Sequence, residues 1–325
     1  MENNERLEGL KKVSENGLAI KMPSDRPIRI AHFTDIHFGV VGSGYHNNRP
    51  ERTKAYMQYV VDTQKPDFIV CTGDIIMTTG VEKLGEFVAL MESYKIPWTF
   101  VFGNHDACIL VDGALTCTEN QAHLQHYFKN IYARRTNNYG YFTVKDDYFN
   151  VKYVVLSAFN NGVGTLDAKQ LDLLIDTLKE NDGYDVVIVA HMPLLADSSK
   201  WNFPTDTTYD GTGYRWCNAD TDALFAARKA KTSGSVTDAN GVAHPYDFSD
   251  CTTEMLCSIH GHTHADAYLY LDDFLVNTFD MFTDSTFFMV LIDRENRQLN
   301  VWKVCNPDTG ATYQNYQIPL DKPAE

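Results

Sequence analysis

Five separate stretches of the chain run through apolar residues and then stop on a metal-binding side chain. They are IRIAHFTDIH with Asp35 and His37, DFIVCTGD with Asp74, WTFVFGNHD with Asn104, His105 and Asp106, DVVIVAHMP with His191, and EMLCSIHGHTH with His262 and His264. A short β-branched or aromatic run followed by Gly, Pro or Asx chemistry reads as a buried strand entering a loop. In an open α/β sheet, ligands collect outside the carboxyl ends of such strands. Five strand ends carrying Asp, His and Asn, scattered over most of the chain, are expected to converge on one two-metal site.

The donor chemistry narrows the ions. Asp35 and Asp74 offer carboxylates, Asn104 a carboxamide oxygen, and His37, His191, His262 and His264 imidazoles, with no thiolate among them. Mixed nitrogen and oxygen ligation of this kind suits Mn, Fe or Zn better than Mg or Ca, which prefer oxygen throughout. Asp74 follows Gly73, which permits a tight turn or close backbone approach. A single carboxylate has two oxygens and can bridge two cations.

The chain has 325 residues, enough for one large domain with a sizeable core. Its net charge of −15 argues against tight, sequence-independent binding to duplex nucleic acid, whose affinity comes from Lys and Arg meeting phosphates. A small anionic substrate is not excluded, because bound cations dominate the local field of a site. No apolar run is long enough to cross a bilayer, and MENNERLEGLKK lacks the apolar segment of a signal peptide. A cytoplasmic protein is expected, with an exported one whose leader has been removed as the alternative; oligomeric state is not legible. The seven cysteines contain no CxxC pair. Cys71 and Cys257 read as core residues, while Cys108 with Cys117, or Cys217 with Cys251, would pair only in an oxidising compartment.

Residues 1–27 form a polar lead-in with an edge strand near Gly17–Met22, and residues 28–325 a single domain. Helices are predicted from Glu51 to Thr63, around Val81–Met91, over Glu119–Ile131, and after an Asp167 cap with Leu171, Leu174, Ile175 and Leu178 on one stripe. Tyr141–Val144 and Val151–Leu156 read as adjacent strands; Ala267–Leu271, Phe274–Thr278, Ser285–Ile292 and Gln298–Val304 follow the fifth motif. Strands alternating with helices, then strands in succession, suggest mixed sheets packed together with helices outside. Residues 197–250 interrupt the pattern and are expected to be an inserted loop or lid.

The series DIH, GD, GNHD, AH and GHTH, in this order, resembles the calcineurin-like metallophosphoesterase superfamily. Within it, IPWTFVFGNHD and LDAKQLDLLIDTLKE followed by VVIVAHMPLL look most like the branch of purple acid phosphatases and Dcr2-type phosphatases. The resemblance implies an α/β fold, a four-layer αββα sandwich of two mixed β-sheets flanked by helices. It implies one metal ion on Asp35, His37 and His264, a second on Asn104, His191 and His262, and Asp74 bridging both. His105 would protonate the leaving oxygen or stabilise developing charge, with Asp106 orienting its ring. The nucleophile implied is a hydroxide held between the ions. One departure stands out: purple enzymes carry a ferric-binding Tyr after GDxx, where this chain has Met77.

The expected activity is hydrolysis of a phosphate monoester on a small or exposed substrate. The alternative is a phosphodiesterase acting on cyclic nucleotides or other small diesters. A nuclease is disfavoured by the acidic balance. A non-catalytic binding scaffold, which the resemblance allows for some retromer subunits, is disfavoured because every motif position is present. His46, Asn47, Asn48 and Arg49 follow the first ligand pair and are candidate phosphate contacts. Trp201, Tyr214, Arg215 and Trp216 are candidates for an aromatic platform over the site. His32 and His260 sit inside strands and read as packed core histidines; His123, His126 and His244 read as surface residues.

Overall fold

The computed structural model describes residues 10–14, 17–20, 23–38, 50–76, 81–96, 98–101, 103–107, 109–111, 114–116, 142–156, 166, 168–193, 219–238, 240–262, 267–271, 274–278, 287–304 and 313–323. The apolar runs of the motifs become buried strands. β3 (Ile30–Phe33), β4 (Phe68–Cys71) and β5 (Trp98–Phe100) lie parallel in one sheet. β16 (Phe287–Asp293), β17 (Gln298–Val304) and β18 (Tyr313–Pro319) extend it antiparallel, in the order β18-β17-β16-β3-β4-β5. β9 (Val151–Leu156), β10 (Asp185–Ala190), β13 (Met255–His260) and β15 (Phe274–Thr278) are parallel in a second sheet. β8 (Phe142–Asp146) and β14 (Ala267–Leu271) close its edges antiparallel. Two further strands, β1 (Leu10–Ser14) and β2 (Gly17–Ile20), pair as a hairpin, as do β6 (Ile109–Val111) and β7 (Ala114–Thr116).

Alternation along the strands decides the layers. Val151, Tyr153, Val155, Val187 and Val189 face the first sheet and join its core. Their neighbours Val154, Leu156, Val186, Ile188 and Ala190 face outward and pack on Leu171, Leu174, Ile175 and Leu178 of α4 (Ala168–Lys179) and on Leu224 and Phe225 of α5 (Ala219–Ala230). On the other side, α1 (Pro50–Gln64) and α2 (Val81–Ser93) give Tyr56, Met57, Val60, Phe87 and Met91 to the first core. A short helix, α3 (Asn104–Ala107), follows β5. Parallel strands buried on both faces require this helix cover. The result is the expected α/β sandwich of two mixed sheets between helices.

The inserted loop or lid expected over 197–250 is regular in its second half. α5 is followed by a hairpin of β11 (Ser233–Thr237) and β12 (Ala243–Asp247), packed beside α4. Cys251 is a buried free thiol whose Sγ lies 3.4 Å from the Leu178 carbonyl, and Cys217 lies outside the described residues. His244 is not at the surface: it is buried on β12, with Nδ1 2.6 Å from Oδ1 of Asp172 on α4. The expected helix over Glu119–Ile131 and the cap at Asp167 lie outside the described residues. Among those residues, no helix is long and apolar enough to cross a membrane.

Candidate metal centre

Parallel strands of both sheets end in the loops that carry the candidate ligands, and pairing continues past the strands into those loops. Asp35 N–H donates to the Gly73 carbonyl at 3.0 Å and His37 N–H to the Asp74 carbonyl at 2.9 Å, so the first and second motifs run side by side. Gly261 N–H donates to the His191 carbonyl at 3.0 Å, which joins the fourth and fifth in the same way. The chain turns sharply at four of the candidate ligands. Asp35, His37, Asp74 and His262 all have left-handed φ, at 49°, 45°, 49° and 71°. Such a conformation is uncommon for residues other than Gly and clusters at functional sites.

The glycines before the ligands are sites of contact between motifs. A Cβ on Gly103 would fall 2.0 Å from Asp74 Oδ1, and one on Gly261 1.8 Å from Thr34 Oγ1 and 2.4 Å from Asp35 Oδ2. Gly73 combines a φ of +98° with a would-be Cβ 2.9 Å from the His191 ring. No other residue type meets both demands there.

Asp74 stands at the centre. It is 1% exposed; Oδ1 accepts the His105 N–H at 2.8 Å, and Oδ2 faces three imidazoles. His191 Nε2 lies 3.4 Å from that oxygen, His105 Nε2 3.9 Å and His37 Nε2 4.0 Å. The His37 and His105 rings meet edge to face at 4.9 Å, and those of His191 and His262 at 5.0 Å. Asp35 is fully buried; its two oxygens accept the His262 N–H at 3.1 and 2.9 Å, and Oδ2 also accepts the Thr34 hydroxyl at 2.6 Å.

Among the described residues, two groups of candidate ligand atoms follow, each with its members within 4.8 Å of one another: His37, Asp74 and His105, and Asp74, His191 and His262. Asp74 belongs to both, and Asp35 reaches them through the His262 backbone. Carboxylate oxygens and imidazole nitrogens without thiolate fit transition-metal ions. His105, which the sequence reading keeps outside the ligand set, sits in the first group and leaves 31% of its side chain exposed at the rim.

Burial works to raise the Asp74 carboxyl, but His191 above all, then His105 and His37, hold it well below the usual carboxylate range. Burial likewise opposes a charged His191, yet the Asp74 carboxylate raises that ring to about 9. His32 and His260 lie beneath, fully buried, and burial brings each down to about 3. They are packed core histidines, with Nε2 2.7 Å from Thr72 Oγ1 and 2.9 Å from Ser258 Oγ respectively.

Asp106 is held by backbone bonds. Its oxygens accept the backbone N–H groups of Ile76 at 3.0 Å and Gly103 at 2.9 Å, and burial followed by the Asp74 charge pushes its carboxyl up to about 7. The buried Nδ1 of His105 has no hydrogen-bond partner among the described residues. Asp106 fastens the loop after β5 to the loop after β4. This clamp has no sequence signature beyond an Asp inside the third motif. The side chain of Asn104, all of His264, the loop with His46, Asn48 and Arg49, and the segment with Tyr214, Arg215 and Trp216 lie outside the described residues.

A sequence model of the family described as calcineurin-like phosphoesterase matches residues 28–266, the stretch that carries all five motifs. The chain belongs to the calcineurin-like phosphoesterase family. Relatives of this family member include phosphatase DCR2 of Saccharomyces cerevisiae, 30% identical over 121 residues, which are 33% of this chain and 20% of that protein. Another, from Arabidopsis thaliana and named "Probable inactive purple acid phosphatase 28", is 29% identical over 102 residues, 27% of this chain and 26% of its own. The chain thus matches about a quarter or less of the length of these curated relatives. Among solved structures, a purple acid phosphatase from yellow lupin (Lupinus luteus) seeds superposes with a TM-score of 0.57 at 14% identity, over 90% of this chain and 54% of that one. A dimetal phosphatase from Danio rerio gives 0.56 at 12% identity, over 91% of this chain and 100% of that one. These likenesses show that the calcineurin-like phosphoesterase chain shares their fold.

Proposed function

We propose that this protein is a metal-dependent phosphoric ester hydrolase acting on monoesters of small or exposed substrates. The observation that carries this reading is the convergence of three imidazoles, from loops of both sheets, on one oxygen of buried Asp74. An arrangement of this kind has little structural value by itself, since it concentrates polar groups that burial penalises. It becomes favourable around cations.

Asp35, His37 and His264 would hold one ion and Asn104, His191 and His262 the other, with Asp74 shared. Mn, Fe or Zn suits these donors, and Met77 in place of a tyrosine leaves no tyrosinate-to-iron colour. Two such ions supply charge neutralisation at phosphorus and a lowered pKa for water. The chain contributes positioning. The N–H of His105 fixes Asp74 Oδ1, so that Oδ2 alone turns to the imidazoles. The partly exposed His105 ring stands beside His37, where it can give a proton to a leaving oxygen.

The test is turnover of p-nitrophenyl phosphate and bis-p-nitrophenyl phosphate by protein stripped with a chelator and reloaded with Mn²⁺, Zn²⁺ or Fe²⁺. Monoester hydrolysis that appears only on reloading supports the proposal. A strong preference for the diester overturns the monoester assignment, and equal rates before and after chelation overturn the metal chemistry. His105→Ala is expected to lose about 10²–10⁴-fold in turnover with metal content unchanged.

A further inference from the structure

Beneath the proposed ligands lies Thr72, a buried residue whose three polar groups are all engaged. Its N–H donates to the Phe33 carbonyl at 2.8 Å, its hydroxyl lies 2.7 Å from His32 Nε2, and its carbonyl accepts from His191 Nδ1 at 2.7 Å. Two of these bonds tie the end of β4 to β3, and the third crosses to the loop after β10 in the other sheet. A carbonyl can only accept, so Nδ1 of His191 carries the proton at that contact. That leaves Nε2, the nitrogen facing Asp74, for a cation.

The direction of the Thr72 carbonyl therefore decides how His191 presents itself. The next residue is Gly73, whose backbone lacks the steric restraint of a Cβ. The peptide between them needs an anchor on its Thr72 side, and the hydroxyl contact with His32 supplies one. His32 is fully buried and burial holds its pKa near 3, so it stays uncharged against the core at neutral pH.

We infer that Thr72, anchored through its hydroxyl on His32, is a positioning residue that sets the tautomer and orientation of His191 for one of the two metal ions. This rests on the reading of His191 and Asp74 as ligands. Groups of this kind behind a metal-ligating histidine typically change metal affinity by about 10–100-fold when removed.

The experiment is calorimetric titration of chelator-stripped protein with Mn²⁺ alone, for wild type, Thr72→Val, Thr72→Ser and His32→Phe, with thermal melting of each. Thr72→Val keeps the shape and removes the hydroxyl; His32→Phe removes the other end of the contact. The expected result is two equivalents bound by wild type, with one weakened about 10–100-fold in Thr72→Val and in His32→Phe and restored in Thr72→Ser. Wild-type affinity for both equivalents in either folded hydroxyl- or imidazole-deleted variant, whatever its melting temperature, overturns the role of Thr72. If wild type takes up no Mn²⁺, the reading of the site as a metal centre fails, and this inference falls with it.

Discussion

His191 Nε2 and Asp74 Oδ2 lie 3.4 Å apart although the two residues close strands of different sheets. The contact is the point at which the two halves of the sandwich meet in a charged pair, both partners almost fully buried. Asp74→Asn keeps the shape and removes the charge that all three imidazoles face. Metal content is expected to fall below two equivalents by elemental analysis, and turnover by at least ~100-fold. A fully loaded, fully active Asp74→Asn protein would remove Asp74 from the centre of the site.

Gly103 packs against Asp74 so closely that an alanine has no place to go. Its Cβ would stand 2.0 Å from Asp74 Oδ1, a buried carboxylate oxygen held by the His105 N–H, and 2.3 Å from the backbone nitrogen of Asp74. The loop after β5 must shift, carrying His105 N–H away from Asp74. Gly103→Ala is expected to lose at least ~100-fold in turnover and to melt several degrees lower, read by scanning calorimetry. Wild-type turnover in this variant would show that the GNHD loop tolerates displacement.

The site was more legible than its support. Apolar runs ending in Gly, Asp, Asn or His state both the strand and the point at which it stops, so the loops of the candidate site could be located. Helices α1 and α2 were equally plain from their spacing and from Pro66 and Pro97 beyond them. Among the strands that escaped notice, β11, β12 and β18 are polar. Only Val236 is buried in β11, β12 carries Pro245, and β18 reads YQNYQIP, so an apolar period was absent and neighbours impose the conformation. The tasks of Asp106 and Thr72 were illegible for a different reason. Asp106 accepts from the backbone N–H groups of Ile76 and Gly103, and Thr72 meets the rings of His32 and His191 with its hydroxyl and its carbonyl; no residue type marks which groups a chain will bring near.

His244 provides a titration that can be followed away from the candidate metal ligands. Burial opposes its charge, but Asp172 at 2.6 Å and Asp238 at 3.5 Å raise its pKa above the ordinary histidine value. A raised folded-state pKa means a stabilising contribution that is complete below about pH 6.5 and fades as pH rises through the folded value. Proton NMR titration of the ring should give a midpoint above 6.5, lowered in Asp172→Asn. The stability gap between wild type and that variant should be widest in mild acid and close on the alkaline side. A midpoint unchanged by Asp172→Asn would disconnect the hairpin from α4 electrostatically.

Arg228 allows stability to be separated from catalysis. It is 3% exposed on α5, and its Nε donates to the Leu178 carbonyl at 2.8 Å, in the last turn of α4. One Nη donates to the Thr253 carbonyl and to Thr253 Oγ1 at 3.1 Å, and the guanidinium carbon lies 5.8 Å from the Phe248 ring. A planar fork thus ties two helices to the turn before β13, on the face away from the ligand loops. Burial lowers its pKa, a penalty that a lysine, with an ordinary pKa nearer neutrality, would meet by losing its proton. Lysine also lacks the geometry to reach Leu178 and Thr253 together. Arg228→Lys and Arg228→Met should therefore both lose about 1–3 kcal/mol by chemical denaturation, from carbonyls left without a donor. Turnover per metal-loaded molecule at 25 °C should stay within about twofold of wild type, because such losses leave most of the population folded. A stable Arg228→Lys protein would mean that charge at the end of α4, and not the fork, holds this corner together.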